Sequence, residues 1–510
     1  MTRRELLRSF PLCVGGVSVA ASALAAPKLH DLDFCSALDA AAAIHTKQVS
    51  SVELTQRMFA RIDRYNPKLN AFVYQMREQA LAAARSADEK LARGDAAGVF
   101  HGVPFCVKES FAVKGEPDTW GIPAFRGSRA PANAAVVERL LKAGAVLTGG
   151  TNVPLNLMDW QSYNDIYGTT NNPWDLTRTP GGSSGGSAAA LAAGLSFLSV
   201  GSDIGGSLRV PADFCGIYSH KPTLDLVSQL GHTPGGDPGI AGFSTGLAVA
   251  GPMARSAADL RSALQVLGGP EGYERKAWTW TLPPARKTAL KEFRVGYVLD
   301  HPMAPVSSEV KTLLERTVSS LEHAGVQMQA GWPEDYNLEE AYANYLFLLA
   351  AFTFSTEGRD AQENDRKQFA RESSPFAAGA LSSFAEWQHQ RFRQLGFRAM
   401  WQAYFETADV FLMPVAPVAA IHHMHSGDLN TRNIETSEGK RPYMELMPWV
   451  VTATVTGCPA TVAPIGQTQS GLPIGIQIVG PFSEDATPLE FAELLGKVMG
   501  GFKQPAGYDF

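Results

Sequence analysis

The chain has 510 residues, 45% of them hydrophobic and 18% charged, with a formal net charge of -6. The charged share lies below the roughly 25% of an ordinary soluble domain, and larger cores bury a greater share of their surface, so one big core fits better than three domains of about 150 residues each. The absence of a long basic run argues against a nucleic-acid partner, and five scattered cysteines with no CxxC pair argue against a zinc site or redox dithiol.

Residues 1–26 read as an export signal. Arg3, Arg4 and Arg8 precede a mildly apolar run at 10–24, which ends in Ala23-Leu24-Ala25-Ala26. Charge, apolar core and small residues occur in the order of a secretory signal, and the consecutive arginines resemble a bacterial twin-arginine signal. The run contains Gly15, Gly16 and Ser18 and is short for a membrane span. An amphipathic first helix packed on the domain is the plainer alternative. With an export signal, the mature chain (27–510) is expected to be periplasmic or secreted. No other segment approaches 18 uninterrupted apolar residues, so no stable membrane insertion is expected. Of the cysteines that would remain, Cys35, Cys106, Cys215 and Cys458 are expected to be mostly free and buried.

Helices are predicted at 37–44 and 51–65, the second capped by Ser51 with Glu53 near its positive end. A third helix, Ala-rich and charged, spans 79–93 and stops at Gly94. A short apolar strand follows at 102–107, then a helix at 133–143 and a strand opening at 145–147. Beyond them lie an Ala-rich helix at about 187–194 and a strand at 195–200. Strands alternating with helices indicate an α/β sheet protein. Residues 224–250 form a Gly- and Pro-rich connection. The stretch 305–405 is expected to be mainly helical, an insertion on the sheet. Apolar runs at 410–413 and 474–479 return as strands.

Two loops carry the chemistry: Gly181-Gly182-Ser183-Ser184-Gly185-Gly186-Ser187 and Gly201-Ser202-Asp203-Ile204-Gly205-Gly206-Ser207. Glycines let the backbone approach a ligand, and consecutive N–H groups in such a turn converge on one anionic spot. A serine ending the turn has its hydroxyl beside ready-made donors, which is what acyl transfer needs. Phosphate binding is an alternative for such loops, but there is no Walker Lys-Ser/Thr pair and the spacing is not G-x-G-x-x-G. A rival is a G-x-S-x-G nucleophile elbow centred on Ser184, although residues 172–180 before it do not read as the strand that an elbow follows.

The stretch 181–223, GGSSGGSAAALAAGLSFLSVGSDIGGSLRVPADFCGIYSHKPT, resembles the amidase signature family. The likeness extends through Thr151-Asn152-Val153-Pro154, residues 167–173 and Gly102-Val103-Pro104-Phe105-Cys106-Val107-Lys108-Glu109. It implies one large domain with a mixed central sheet flanked by helices. It also implies amide hydrolysis by a Ser–Ser–Lys triad with no metal or organic cofactor. The nucleophile falls on Ser207, the bridging serine, whose peptide bond is cis in the family, on Ser183, and the base on Lys108. The oxyanion hole falls on the backbone N–H groups of Ile204, Gly205, Gly206 and Ser207. Asp203, Arg209 and Ser184 fall at supporting positions. A lysine with an ordinary pKa near 10.4 is protonated at neutral pH, and burial behind the apolar run 103–107 would lower it. The chain departs from the family after Thr223, where Leu224-Asp225-Leu226 replaces the usual glycine and arginine, and Glu109 stands where aspartate is commoner.

Other clusters are weaker. His422, His423 and His425 lack companion ligands at a recognised metal spacing. Residues 159–164 could line a pocket, but structural hydrogen bonding accounts for them equally well. Tyr342, Tyr345, Phe347, Phe352 and Phe354 read as core. Relatives shape the acyl site in this region, so the resemblance implies an apolar substrate. The expected partner is a small amide, and the oligomeric state, including a homodimer, is left open. Two rivals remain: the A subunit of a tRNA-dependent amidotransferase, which shares these motifs, and a non-catalytic binding protein that keeps the fold.

Overall fold

In the computed structural model, which describes residues 32–95, 98–436 and 438–510, eleven strands join into one mixed sheet. They are β1 (Phe72–Gln75), β2 (Pro104–Lys108), β3 (Val146–Thr151), β4 (Leu198–Asp203), β5 (Tyr218–Lys221), β6 (Val249–Ala254), β7 (Arg294–Tyr297), β8 (Gln327–Ala330), β9 (Val410–Pro414), β10 (Ala460–Gln467) and β11 (Pro473–Val479). Their spatial order is β1-β3-β2-β4-β6-β5-β10-β11-β9-β7-β8. Pairing is parallel along β3-β2-β4 and along β9-β7-β8, and antiparallel elsewhere. Helices flank the sheet in a single α/β domain, as the sequence predicts. The predicted export signal lies outside the described residues. Among the described residues, no helix is long and apolar enough to cross a membrane.

The centre of the sheet is dry. Every residue of β2, β3 and β4 is buried, which is why these strands read as near-continuous runs rather than alternating ones. The helix Gly185–Ala192 is also wholly buried, and its alanines let it lie close to the strands. One polar peg fixes it: the Ser187 hydroxyl lies 2.7 Å from Thr151 Oγ1 on β3 and accepts from Ser199 Oγ on β4 at 2.9 Å.

Several boundaries differ from the sequence expectation, each for a local reason. The second helix, Ser51–Leu69, is capped by Ser50 in a capping box with Glu53, not by Ser51; the Ser51 hydroxyl instead donates to the Gly102 carbonyl at 2.7 Å. The strand expected at 195–200 begins three residues later, because Gly194, at φ 67°, turns the chain after the helix. That shift carries Ser202 and Asp203 to the end of the strand. The region 305–405 is mainly helical, but it also supplies β8, the edge of the main sheet, so it belongs to the sheet as well as standing on it. Among the described residues, Cys35, Cys106, Cys215 and Cys458 are free thiols, and all but Cys35 are buried.

Candidate active site

Strands β2 and β4 are parallel neighbours, with Val107 opposite Val200. Their carboxyl ends therefore emerge side by side, the usual place for a site in an α/β sheet. Lys108 ends one strand and Ser202-Asp203 ends the other. Lys108 is fully buried. Its Nζ donates to Ser183 Oγ at 2.7 Å and to Ser202 Oγ at 2.9 Å. Burial lowers the Lys108 pKa to about 7, against an opposing pull from Asp203.

Ser183 sits in the first glycine loop, and the Gly182–Ser183 peptide is cis. The loop is pressed against residues 159–161: a Cβ built at Gly182 would lie 2.3 Å from the Asp159 carbonyl oxygen and 2.7 Å from the Gln161 nitrogen. The Ser184 N–H donates to the Ser207 carbonyl at 3.2 Å, joining the two glycine loops. The Ser184 hydroxyl donates to the Ser202 carbonyl at 3.3 Å and is buried. Ser184 therefore lies behind the loops as a strut, which removes the geometric basis of the elbow reading. Ser207 retains 7% exposure and Ser183 2%.

The second loop is organised by one carboxylate. Asp203 Oδ1 accepts from the Gly206 N–H at 3.0 Å and Oδ2 from the Leu208 N–H at 3.0 Å. Arg209 forks onto the same carboxylate at 3.1 and 2.8 Å and reaches the Val450 carbonyl, Gln477 and Thr454. Burial pushes the Asp203 pKa up, but Arg209 and the backbone donors outweigh it and hold the carboxyl below its ordinary value. Of the four N–H groups that the resemblance implies for an oxyanion hole, that of Gly206 already donates to Asp203. Gly206 itself needs to be glycine: its φ is 91°, and a Cβ there would lie 2.8 Å from Val450.

Ser202 and His232 have no role in the sequence reading, while for residues 159–164 the structural hydrogen bonding it allows is what the structure shows. Ser202 shares the lysine with Ser183. The Trp160 indole N–H donates to the Gly205 carbonyl at 2.8 Å, so residues 159–164 support both loops. His232 lies 3.0 Å from Ser110 Oγ through Nε2 and packs on Phe111 and Trp120, while burial and the nearby Lys108 hold its pKa down to about 3. Glu109, next to the lysine, accepts from Thr119, Trp120 and Tyr167, and burial pushes its pKa up to about 7. After Thr223, where the family pattern breaks, Asp225 takes the left-handed φ of 63°, which Asp tolerates better than most residues. His422 bonds Thr177, and the described residues contain no cluster of three or more His, Cys, Asp or Glu able to hold a metal ion.

The chain belongs to the Amidase family, which matches it over residues 53–489. The glutamyl-tRNA(Gln) amidotransferase A subunit of Anaeromyxobacter sp. (strain K) is 32% identical over 495 residues, covering 92% of this chain and 96% of that one. Its counterpart in Bdellovibrio bacteriovorus is 31% identical over 499 residues, covering 91% and 96%. A solved amidase superposes with a TM-score of 0.73 at 25% identity, covering 91% of this chain and all of that one. The 6-aminohexanoate cyclic dimer hydrolase shares the fold, with a TM-score of 0.75 at 24% identity and coverage of 93% and 99%. The protein is thus an amidase signature enzyme, a hydrolase of amide bonds.

Proposed function

We propose that the protein converts a small or medium carboxamide to a carboxylic acid plus ammonia or an amine through an acyl-enzyme on Ser207. The observation that carries this reading is the 2.7 Å bond from a fully buried Lys108 to Ser183. Neutral Lys108 takes the Ser183 proton as Ser183 takes that of Ser207. Ser207 Oγ then bonds the scissile carbon, and its oxygen charge faces the N–H groups of Ile204, Gly205 and Ser207. The C–N bond breaks as the relayed proton reaches the leaving nitrogen. Water, deprotonated by the same relay, then cleaves the ester and restores Ser207.

A fluorophosphonate probe followed by peptide mass spectrometry, with a panel of simple amides, tests this. Label on Ser207 with amine or ammonia release is the expected result; label on Ser184, or none alongside no turnover, defeats the proposal.

The likeness to amidotransferase A subunits favours a second reading, a glutaminase that works with partner proteins. The export-like pattern of residues 1–26 speaks for a stand-alone enzyme outside the cytosol. Replacing Arg3 and Arg4 with lysine should block export; accumulation outside the cytosol at the original level contradicts that route. Co-purification with partner proteins and glutamine-dependent ammonia release would favour the second reading.

A further inference from the structure

Tyr345 lies on the helix Leu338–Thr356, in the aromatic segment that reads as core in the sequence. It is fully buried, and its hydroxyl has no hydrogen-bond partner among the described residues. Nearby tyrosines differ: the Tyr336 hydroxyl pairs with Thr452 at 2.8 Å, and that of Tyr443 donates to Asp159. The position of the Tyr345 hydroxyl is informative. A Cβ built at Gly205 would lie 3.0 Å from Tyr345 Oη and 3.6 Å from the sulfur of Met447. The phenol oxygen thus caps the open face of Gly205, within the loop whose N–H groups are proposed to receive the oxyanion. Native proteins keep few buried hydroxyls unpaired, and such a group calls for a partner. Burial, with Asp203 nearby, holds the Tyr345 phenol far above its ordinary pKa, so it stays protonated and available as a donor.

We propose that Tyr345 is a specificity residue whose hydroxyl donates to a hydrogen-bond acceptor on the acyl part of the substrate, a few bonds from the scissile carbonyl. This rests on the amidase reading above and deepens it. The acyl group is then one carrying an ether, hydroxyl or carbonyl oxygen, in place of the purely apolar acyl chain expected from the aromatic segment. A plain alkyl chain against Tyr345 would leave a buried donor unpaired. Sites with such donors discriminate against substrates lacking the acceptor far more sharply than apolar pockets discriminate by size.

The test compares isosteric anilides in the wild type and in Tyr345→Phe. One pair is methoxyacetanilide and butyranilide; the other is 3-methoxypropionanilide and pentananilide, with the acceptor one carbon further out. Each pair differs only by an ether oxygen in place of a methylene. The ratio of kcat/KM for the ether over the alkyl amide should fall about 10- to 100-fold in Tyr345→Phe for at least one pair, the range expected for one hydrogen bond to a buried donor. The thermal midpoint should not drop, since the lost hydroxyl has no protein partner. Unchanged ratios in both pairs overturn the proposal, and so does a midpoint lowered by many degrees, which would assign the hydroxyl to the fold. A wild type that turns over neither pair also overturns it. Fluorophosphonate labelling of Ser207 in that sample then decides separately whether the amidase reading stands.

Discussion

The indole nitrogen of Trp160 and the carbonyl oxygen of Gly205 are 2.8 Å apart, and this bond fixes the orientation of the peptide that follows Gly205. Trp160→Phe keeps the aromatic packing, including the contact with Tyr443 at 5.5 Å between ring centres, and removes only the donor. An orphaned buried carbonyl costs about 1–3 kcal/mol. The loss should appear mainly in kcat, about 10-fold or more, with a small change in KM, because the oxyanion loop serves the transition state rather than the bound substrate. Steady-state kinetics on one good amide checks this.

The acid limb of the pH profile should belong to Lys108. The base works when neutral, and burial puts its pKa at about 7. The rate constant kcat/KM should therefore rise with pH through about 7 and level off above it. His232, held down to about 3, stays neutral across this range, and Asp203 stays ionised. Glu109 also sits at about 7, so Glu109→Gln is the control: the limb should persist in that variant. Lys108→Arg, which stays protonated at any accessible pH, should lose activity throughout.

Removing either serine of the relay should cost on the order of 10³-fold or more in kcat, with the fold intact, since residues acting as a unit fail together. Ser207→Ala and Ser183→Ala should be nearly as inactive as the double variant. Additive losses, measured by single-turnover hydrolysis, would separate the two hydroxyls mechanistically.

Asp203→Asn leaves Arg209 buried without its counter-ion, a loss of about 3–5 kcal/mol. Urea unfolding should show that loss. Arg209→Met in the same chain should restore part of the stability, but not the activity, because the carboxylate that holds the Gly206 N–H is gone.

Gly182→Ala should be worse than any of these for folding. The new methyl would fall within 2.3 Å of the Asp159 carbonyl oxygen, a backbone atom that cannot swing aside. Little soluble protein is expected, and what is recovered should be inactive and resist labelling at Ser207.

How much of the fold and site is legible in the sequence depends on how far apart along the chain the partners lie. The alternation of strands with helices and the two glycine–serine loops are local patterns, so the α/β class and a serine ending a glycine turn can be read directly, whereas the roles given to Lys108, Ser183 and Ser207 come from the resemblance to the amidase signature family. Ser202 is not legible, because a serine inside such a loop has no distinguishing spacing; only the start of β4 at Leu198 puts it beside the lysine. Trp160 bonds Gly205 and Tyr345 lies against it from distant segments, and no periodicity encodes such a meeting. The spending of the Gly206 N–H on Asp203 depends on a turn geometry that the letters alone do not specify.

Arg209 ties the loop at Asp203 to Val450 and Thr454 on the helix Pro448–Thr456 and to Gln477 on β11. The shape of the nucleophile's turn is therefore set by residues about 250 positions downstream as much as by its own sequence. A ribosome must have delivered nearly the whole chain before that turn can take its working form, so a fragment carrying all of Lys108, Ser183 and Ser207 but stopping short of β11 would hold the reagents without the mould.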